Sequence, residues 1–288
     1  MDKIIKKADV LIEALPYIQE FNKKIVVIKY GGAAMENDEM RQGTLEDIVF
    51  MRYVGMRPVL IHGGGPFINQ KMQEVGKRPK FIDGHRVTDE ATVKIVEETL
   101  SELNKKIVSE LKALGAKAEG ASGKTENLIK IKKQSSSHKK KYGYVGQIES
   151  VNTQAIKKIL KAGKIPVIYP VAHDHKKKIY NINADAASSQ IAISLKAEKL
   201  VLLTNTKGIM MNQEDEDSLI STLNIKDIKD LTQRNIITGG MLPKVTACSQ
   251  AIKEGVHKTH IIDGRIPHSL LLEIFTDKGI GTQIVTSL

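Results

Sequence analysis

The 288-residue chain is predicted to adopt an α/β fold: a mostly parallel central sheet covered by helices on both faces, preceded by a kinked N-terminal helix. Three observations predict it. Short runs of β-branched and aliphatic residues recur along the chain. Longer stretches lie between them, with apolar residues at spacings of three and four. Several of the short runs end in glycine- and lysine-rich turns, and ligands of open α/β sheets gather at such carboxyl ends of strands.

The elements follow in chain order. Residues 3–21 are predicted helical, with Ile4, Ala8, Leu11, Leu15 and Ile18 in one narrow stripe. Pro16 lies inside that stripe, removes a helical hydrogen bond and should kink the helix. A stripe this narrow suits pairing with another helix; packing onto the chain's own body is the alternative. Strands are expected at 25–30, 58–62, 165–169, 199–204 and 258–262, where Ile, Val and Leu cluster. Helices are expected near 44–56, 66–76, 88–114, 152–162, 185–197 and 241–254. NLIKIKK and YGYVGQI, within 127–149, flank a Ser/Lys-rich loop and read as a hairpin.

Composition narrows the function. Hydrophobic residues are 41%, and no apolar run reaches the ~18 residues of a membrane span. The first fifteen residues carry acids throughout and lack the apolar core and cleavage site of a signal peptide. A single cysteine, Cys248, excludes internal disulfides, so a cytoplasmic location is expected. Net charge is +11, which suits nucleic acid or small anions. The lysines are scattered, aromatics are 4% and Trp is absent, so stacking platforms for bases are few and small anionic ligands are favoured. The densest basic cluster, 130–143, reads as a solvated loop.

Three local motifs point elsewhere and fail on context. HGGG at 62–65 resembles the oxyanion loop of lipases, but no G-x-S-x-G nucleophile elbow occurs. AEGASGKT at 118–125 approaches a P-loop, but Ala118 replaces the first glycine. A poor strand precedes it, and a strand-like run follows where a helix should open. HDH at 173–175 lacks a third ligand at useful spacing and reads as a solvated loop, so no protein-held metal is expected.

The remaining strand ends and turns read, in order, KYGGAAM, HGGGPFIN, DGHRVTD, NINAD, LLTNTKGI and TGGMLPKV. Glycine lets backbone N–H groups approach an anion without a Cβ between them, and a lysine supplies charge. Each turn alone reads more simply as a tight strand-to-helix connection. Six in this order resemble the acetylglutamate kinases of the amino acid kinase family, over essentially the whole chain.

That resemblance implies an αβα sandwich, with an N-lobe at 23–197 for the amino acid and dimerisation, a C-lobe at 198–288 for ATP, and an oligomerisation helix at 1–22. It implies phosphoryl transfer from ATP, with Mg2+, to the γ-carboxylate of N-acetyl-L-glutamate. Lys29 and Lys244 are expected to stabilise the transition state, with Asp185 orienting both. The alternatives are a solvated first-turn lysine at 244 and a helix N-cap at 185. Gly64, Gly65, Arg86 and Asn181 are expected to bind the substrate. The alternative for Arg86 is an ion pair with Asp83 or Asp89. Gly31, Gly32, Gly63, Thr204, Asn205, Gly208, Gly240 and Met241 are expected to bind ATP. Asn205 departs from the family's usual aspartate, keeping a hydrogen-bonding side chain and losing its charge. The N-terminal helix, together with HSLLLEIFTDKGIGTQIV at 268–285, resembles the arginine-inhibited members, which are hexamers built as trimers of dimers. Glu273, Gly279 and Gly281 are then expected at an L-arginine site. Competing readings are a sibling kinase of another carboxylate or of carbamate, and a catalytically idle sensor.

Overall fold

In the computed structural model, which describes residues 2–82, 84–132, 135–212, 214–276 and 279–286, the chain opens with helix α1 (Asp2–Phe21) carrying Pro16 in its interior. Strand β1 (Ile25–Tyr30), helix α2 (Asp38–Tyr53), strand β2 (Arg57–His62) and helix α3 (Gly65–Glu74) follow. Asn37 caps α2 by accepting the Met40 N–H, and Asp38 and Glu39 sit in its first turn, where the helix dipole favours acids. A two-residue hairpin pair, β3 (Phe81–Ile82) and β4 (His85–Arg86), leads to the long helix α4 (Glu90–Ala113), capped by Asp89.

Strand β5 (Ala118–Ser122) then enters the sheet, and β6 (Ile129–Ile131), helix α5 (Ser136–Tyr142) and β7 (Ile148–Val151) form the excursion after it. Helix α6 (Thr153–Lys161), β8 (Ile165–Tyr169), the antiparallel pair β9 (Val171–His173) and β10 (Ile179–Asn181), and helix α7 (Ala184–Leu195) complete the first two-thirds. The rest comprises β11 (Lys199–Thr204), β12 (Thr222–Asn224), α8 (Ile228–Gln233), α9 (Met241–Lys253), β13 (Lys258–Asp263), α10 (Ser269–Ile274) and β14 (Thr282–Val285).

Eight strands form the central sheet in the order β12-β14-β13-β11-β1-β2-β8-β5. All pairings are parallel except β13 with β14. The period-two alternation of strands sorts the two cores. Val27, Val59, Ile61, Leu200 and Leu202 pack with residues of α6, α7 and α9 on one face. Val26, Ile28, Leu60, Val201 and Leu203 pack with residues of α2, α4 and α10 on the other. Each fully buried aliphatic side chain here contributes roughly 1.5–3 kcal/mol relative to exposure. The result is a three-layer αβα arrangement. Strands that precede residue 197 occupy one end of the sheet and strands that follow it the other, meeting at β1 and β11.

Three local expectations are corrected. Ala118–Ser122, read as a poor strand, pairs in parallel with β8 at the sheet edge, because small residues there fit beneath α4. It is still no P-loop: a 3-10 turn and β6 follow it, and Lys124 is paired with Glu97. The Ser/Lys-rich connection of the hairpin carries α5, although β6 and β7 do pair antiparallel. His173 ends β9 rather than lying in a loop, and Asp174 folds the turn by accepting the N–H groups of Lys176 and Lys178. No group of three or more His, Cys, Asp or Glu able to hold a metal occurs among the described residues.

Helix α1 stands partly apart. Val10, Leu11 and Ile12 are 61–68% exposed, while Phe21 at its end is 3% exposed within the core. The side chain of Ile4 lies outside the described residues. The last turn of α1 thus packs with the body through Phe21 and Tyr17.

Candidate active site

Parallel pairing brings the carboxyl ends of β1, β2, β11 and β13 to one edge, with Tyr30 opposite His62 and Thr204 opposite Asp263. Lys29 shares its strand face with Val27 and so points toward the layer of α7 and α9. Asp185 waits there in the first turn of α7, and Lys244 in the first turn of α9. The Asp185 carboxylate lies 3.3 Å from Lys29 Nζ through one oxygen and 3.0 Å from Lys244 Nζ through the other. Asp185 is not the N-cap: Asn183 takes that part, accepting the Ala186 N–H at 3.0 Å. Lys244 is no solvated lysine either, since its side chain is 17% exposed and ion-paired.

Electrostatics follow from burial. Lys29 is held below the usual ammonium range by burial, which Asp185 opposes and Lys244 reinforces. Burial alone would raise Asp185, but the two ammonium groups outweigh it and hold the carboxyl below its ordinary value. At neutral pH Asp185 is therefore an anion that keeps two cations side by side.

The glycines answer to close approach. A Cβ at Gly31 would sit 3.1 Å from Lys29 Nζ. One at Gly64 would sit 2.6 Å from Leu100 Cδ2, inside contact distance. Gly32 has φ of +74°, a left-handed conformation that favours glycine. Gly63 donates its N–H to Tyr30 O at 2.8 Å, so that group is committed to the fold. Helix α3 begins at Gly65, and first-turn N–H groups have no intrahelical acceptor.

Two cavities flank this centre. The larger, about 580 Å³, is lined by Thr204, Asn205, Gly208, Gly240, Met241 and Lys244 among others. The smaller, about 150 Å³, is lined by Gly64, Gly65, Arg86 and Asn181 together with Gly63. The structure thus brings the expected substrate residues into one cavity, and five of the expected nucleotide residues into the other. Gly31 and Gly32 follow β1 beside Lys29, and Gly63 lines the smaller cavity instead.

Arg86 is buried, its guanidinium 4.7 Å over the Phe81 ring. It donates to Asn69 Oδ1 at 2.7 Å, to Gly65 O at 3.3 Å and toward Met72 Sδ at 3.2 Å. None of these partners is a carboxylate, and burial pulls the guanidinium down to about 10. The ion pair considered with Asp89 does not form, because Asp89 pairs with Lys77 at 2.6 Å. Asp83 lies outside the described residues. Asn181 sits at the mouth, its amide 3.5 Å from Thr88 Oγ1.

Sequence reasoning missed several lining residues. Thr238 and Arg265 line the larger cavity, and His85 and Val145 the smaller. Arg265 forks onto buried Asp263, at 2.7 Å and 2.9 Å, just past β13. The strand-end rule, applied to 258–262 as to the other strands, would have flagged Asp263-Gly264-Arg265.

Glu273, Gly279 and Gly281 also meet, on the α10 side rather than at the cleft. The buried Glu273 carboxylate contacts His260 Nδ1 and accepts the N–H of Ile280 at 2.8 Å and of Gly281 at 3.2 Å. Lys199 lies nearby with its ammonium 5.0 Å over the Phe21 ring of α1.

Comparisons with known proteins agree with this architecture. The profile of the Amino acid kinase family matches residues 24–263. The acetylglutamate kinase of Syntrophomonas wolfei is 50% identical over 282 residues, covering 98% of both chains. That of Desulforamulus reducens is 47% identical with the same coverage. Among solved structures, N-acetylglutamate synthase from Neisseria gonorrhoeae, complexed with coenzyme A and N-acetyl-glutamate, superposes with a TM-score of 0.84 at 27% identity. This chain covers 64% of that protein, and 98% of this chain is matched. Carbamate kinase from Giardia lamblia shares the fold, with a TM-score of 0.67 at 17% identity over 92% of this chain and 99% of that one. A kinase fold with its cationic centre set between two cavities, and identity near one half to whole acetylglutamate kinases, place the chain in the amino acid kinase family, among its acetylglutamate kinases.

Proposed function

We propose that the protein transfers the γ-phosphoryl group of ATP to the γ-carboxylate of N-acetyl-L-glutamate, giving N-acetyl-L-glutamyl 5-phosphate and ADP, as a step of arginine biosynthesis. The observation that carries this reading is the pair Lys29 and Lys244 on one buried carboxylate, between a large cavity and a small one lined by an arginine with no carboxylate partner among the described residues. Arg86 suits a carboxylate of the acceptor, which it would clasp through two N–H groups. Asn181 adds a neutral donor beside it.

The acceptor's γ-carboxylate is already ionised at neutral pH, so no general base is needed. One of its oxygens attacks the γ-phosphorus, and the bond from that phosphorus to the β–γ bridging oxygen breaks. Negative charge then spreads over the transferring and leaving oxygens. Lys29 and Lys244 meet that charge, and Asp185 keeps both ammonium groups in place before the reaction starts. Magnesium arrives with the nucleotide as part of the substrate. Both Asp185 oxygens are committed to lysines, which suits an ion held by phosphates and water.

The division into an amino-acid lobe at 23–197 and a nucleotide lobe at 198–288 follows from the same reading. The exposed apolar side chains of α1 support its use as a contact between dimers of a hexamer. Feedback by L-arginine would act at Glu273, Gly279 and Gly281, where the carboxylate now held by His260 could turn to a guanidinium. Among the described residues no helix is long and apolar enough to cross a membrane.

The test is ADP release with N-acetylglutamate, glutamate, aspartate and carbamate offered in parallel. Turnover with N-acetylglutamate far above the others is expected. A preference for another acceptor would move the protein to a sibling activity, and no turnover with any would leave a sensor.

A further inference from the structure

One buried imidazole beside the cleft takes no part in the steps above. His62 ends β2 with no solvent exposure, and both of its ring nitrogens have partners. Nδ1 lies 2.8 Å from Gly63 O, and Nε2 lies 3.0 Å from Asn104 Nδ2. The same Asn104 nitrogen donates to Val167 O on β8 at 2.9 Å.

These contacts fix where the proton sits. A carbonyl can only accept, so Asn104 turns its NH2 group toward Val167. The second hydrogen of that group then points at His62, whose Nε2 must accept it. The ring proton is left on Nδ1, which donates it to Gly63 O. Burial pushes the imidazole down to about 4, so this neutral form persists through the neutral range. Asn104 reaches this place from α4 because β5 has no side chain at Gly120; a Cβ there would overlap Asn104 Oδ1.

The Gly63 carbonyl and the Gly64 N–H belong to one planar trans peptide and point in opposite directions. A carbonyl held on the buried ring turns the next N–H away from that ring, and Gly63, Gly64 and Gly65 all line the smaller cavity. The turn is pinned on its other flank by the Gly63 N–H on Tyr30 O.

We infer that His62 and Asn104 are positioning residues for phosphoryl transfer: a neutral imidazole, set in its Nδ1–H form by Asn104, holds the Gly63–Gly64 peptide so that the Gly64 N–H faces the reacting anion. This rests on the reading that the glycine turn meets the substrates. His62→Leu fills the space and removes the donor. It should lower kcat by about ten- to a hundredfold, the scale of a lost or misaimed oxyanion donor, with KM for both substrates little changed. His62→Asn, whose amide reaches the Nδ1 position, should recover kcat to within a few-fold of wild type. Histidine-labelled NMR of the wild-type protein should show His62 protonated on Nδ1, bare on Nε2 and not titrating between about pH 5.5 and 8.5.

The inference is overturned if His62 carries its proton on Nε2 or titrates near its ordinary value. It also fails if a folded His62→Leu keeps kcat within about twofold, if the loss falls on KM alone, or if His62→Asn is as slow as His62→Leu. The NMR result decides even if His62→Leu does not fold. The kinetics use whichever acceptor the wild-type enzyme turns over, so a wrong acceptor would refute the substrate reading and leave this one testable.

Discussion

Asp185→Asn preserves the shape of the side chain and deletes its charge. In the native protein that charge faces two ammonium groups at 3.3 Å and 3.0 Å. At an effective dielectric of about 20, one such pair is worth about 5 kcal/mol of Coulomb attraction. Burial already holds Lys29 below the ammonium range, and Asp185 is what opposes it. Without the carboxylate the two cations repel one another, and the burial of Lys29 goes unopposed. The sign is fixed: a neighbouring anion favours the charged ammonium, so its loss favours the neutral amine. Activity should therefore vanish at a lower pH than in wild type, with the basic limb of kcat/KM moved down. Lowering the pH should restore part of the loss. The assay is coupled ADP release with ATP varied between about pH 5.5 and 10, since kcat/KM reports the free enzyme. Two buried cations left without a partner should also cost stability, roughly 3 kcal/mol in urea unfolding. A folded variant whose basic limb stays in place or moves up would refute the account of Asp185 as the anchor of both lysines.

Lys29→Ala and Lys244→Ala each remove one charge from the transition state and should lower kcat about a hundredfold, roughly 3 kcal/mol, with the fold intact; near-normal turnover in either would end that residue's assigned role. Arg86→Lys keeps the charge but loses the fork and its stacking on Phe81, so KM for N-acetylglutamate should rise steeply while KM for ATP stays; an effect confined to ATP would move Arg86 to the nucleotide side. Deleting residues 2–16 spares Tyr17 and the buried Phe21 and removes the exposed apolar turns of α1. It should give an active dimer that L-arginine no longer inhibits at the same concentration. Full-length protein that sediments as a dimer, or that ignores millimolar arginine, would contradict the hexamer and its regulation while leaving the kinase untouched.

Much of the fold is local information and was legible as such. Ile25–Tyr30 and Lys199–Thr204 are strands because β-branched and aliphatic side chains pack on a pleated surface, and α4 follows from its spacing of apolar residues. The candidate site's residues were legible only as an ordered set of six turns, since each turn alone also serves as a plain strand-to-helix connection. What a linear reading could not supply is partnership. Ala118–Ser122 has weak strand propensity and becomes a strand because β8 offers it backbone partners. Asp185 looked equally like an N-cap until Asn183 took the cap and left its carboxylate to two lysines from distant elements. Arg86 looked like one half of a surface ion pair with Asp83 or Asp89, but it is buried over Phe81 and Lys77 claims Asp89. Asn104 gave no signal at all in sequence, one polar residue on a long helix. Its role arises only where α4 crosses β2, β8 and the notch at Gly120. Periodicity is set by the backbone geometry of neighbouring residues, whereas a hydrogen bond or ion pair between remote residues depends on which strand lies beside which, and that is a property of the packed chain alone.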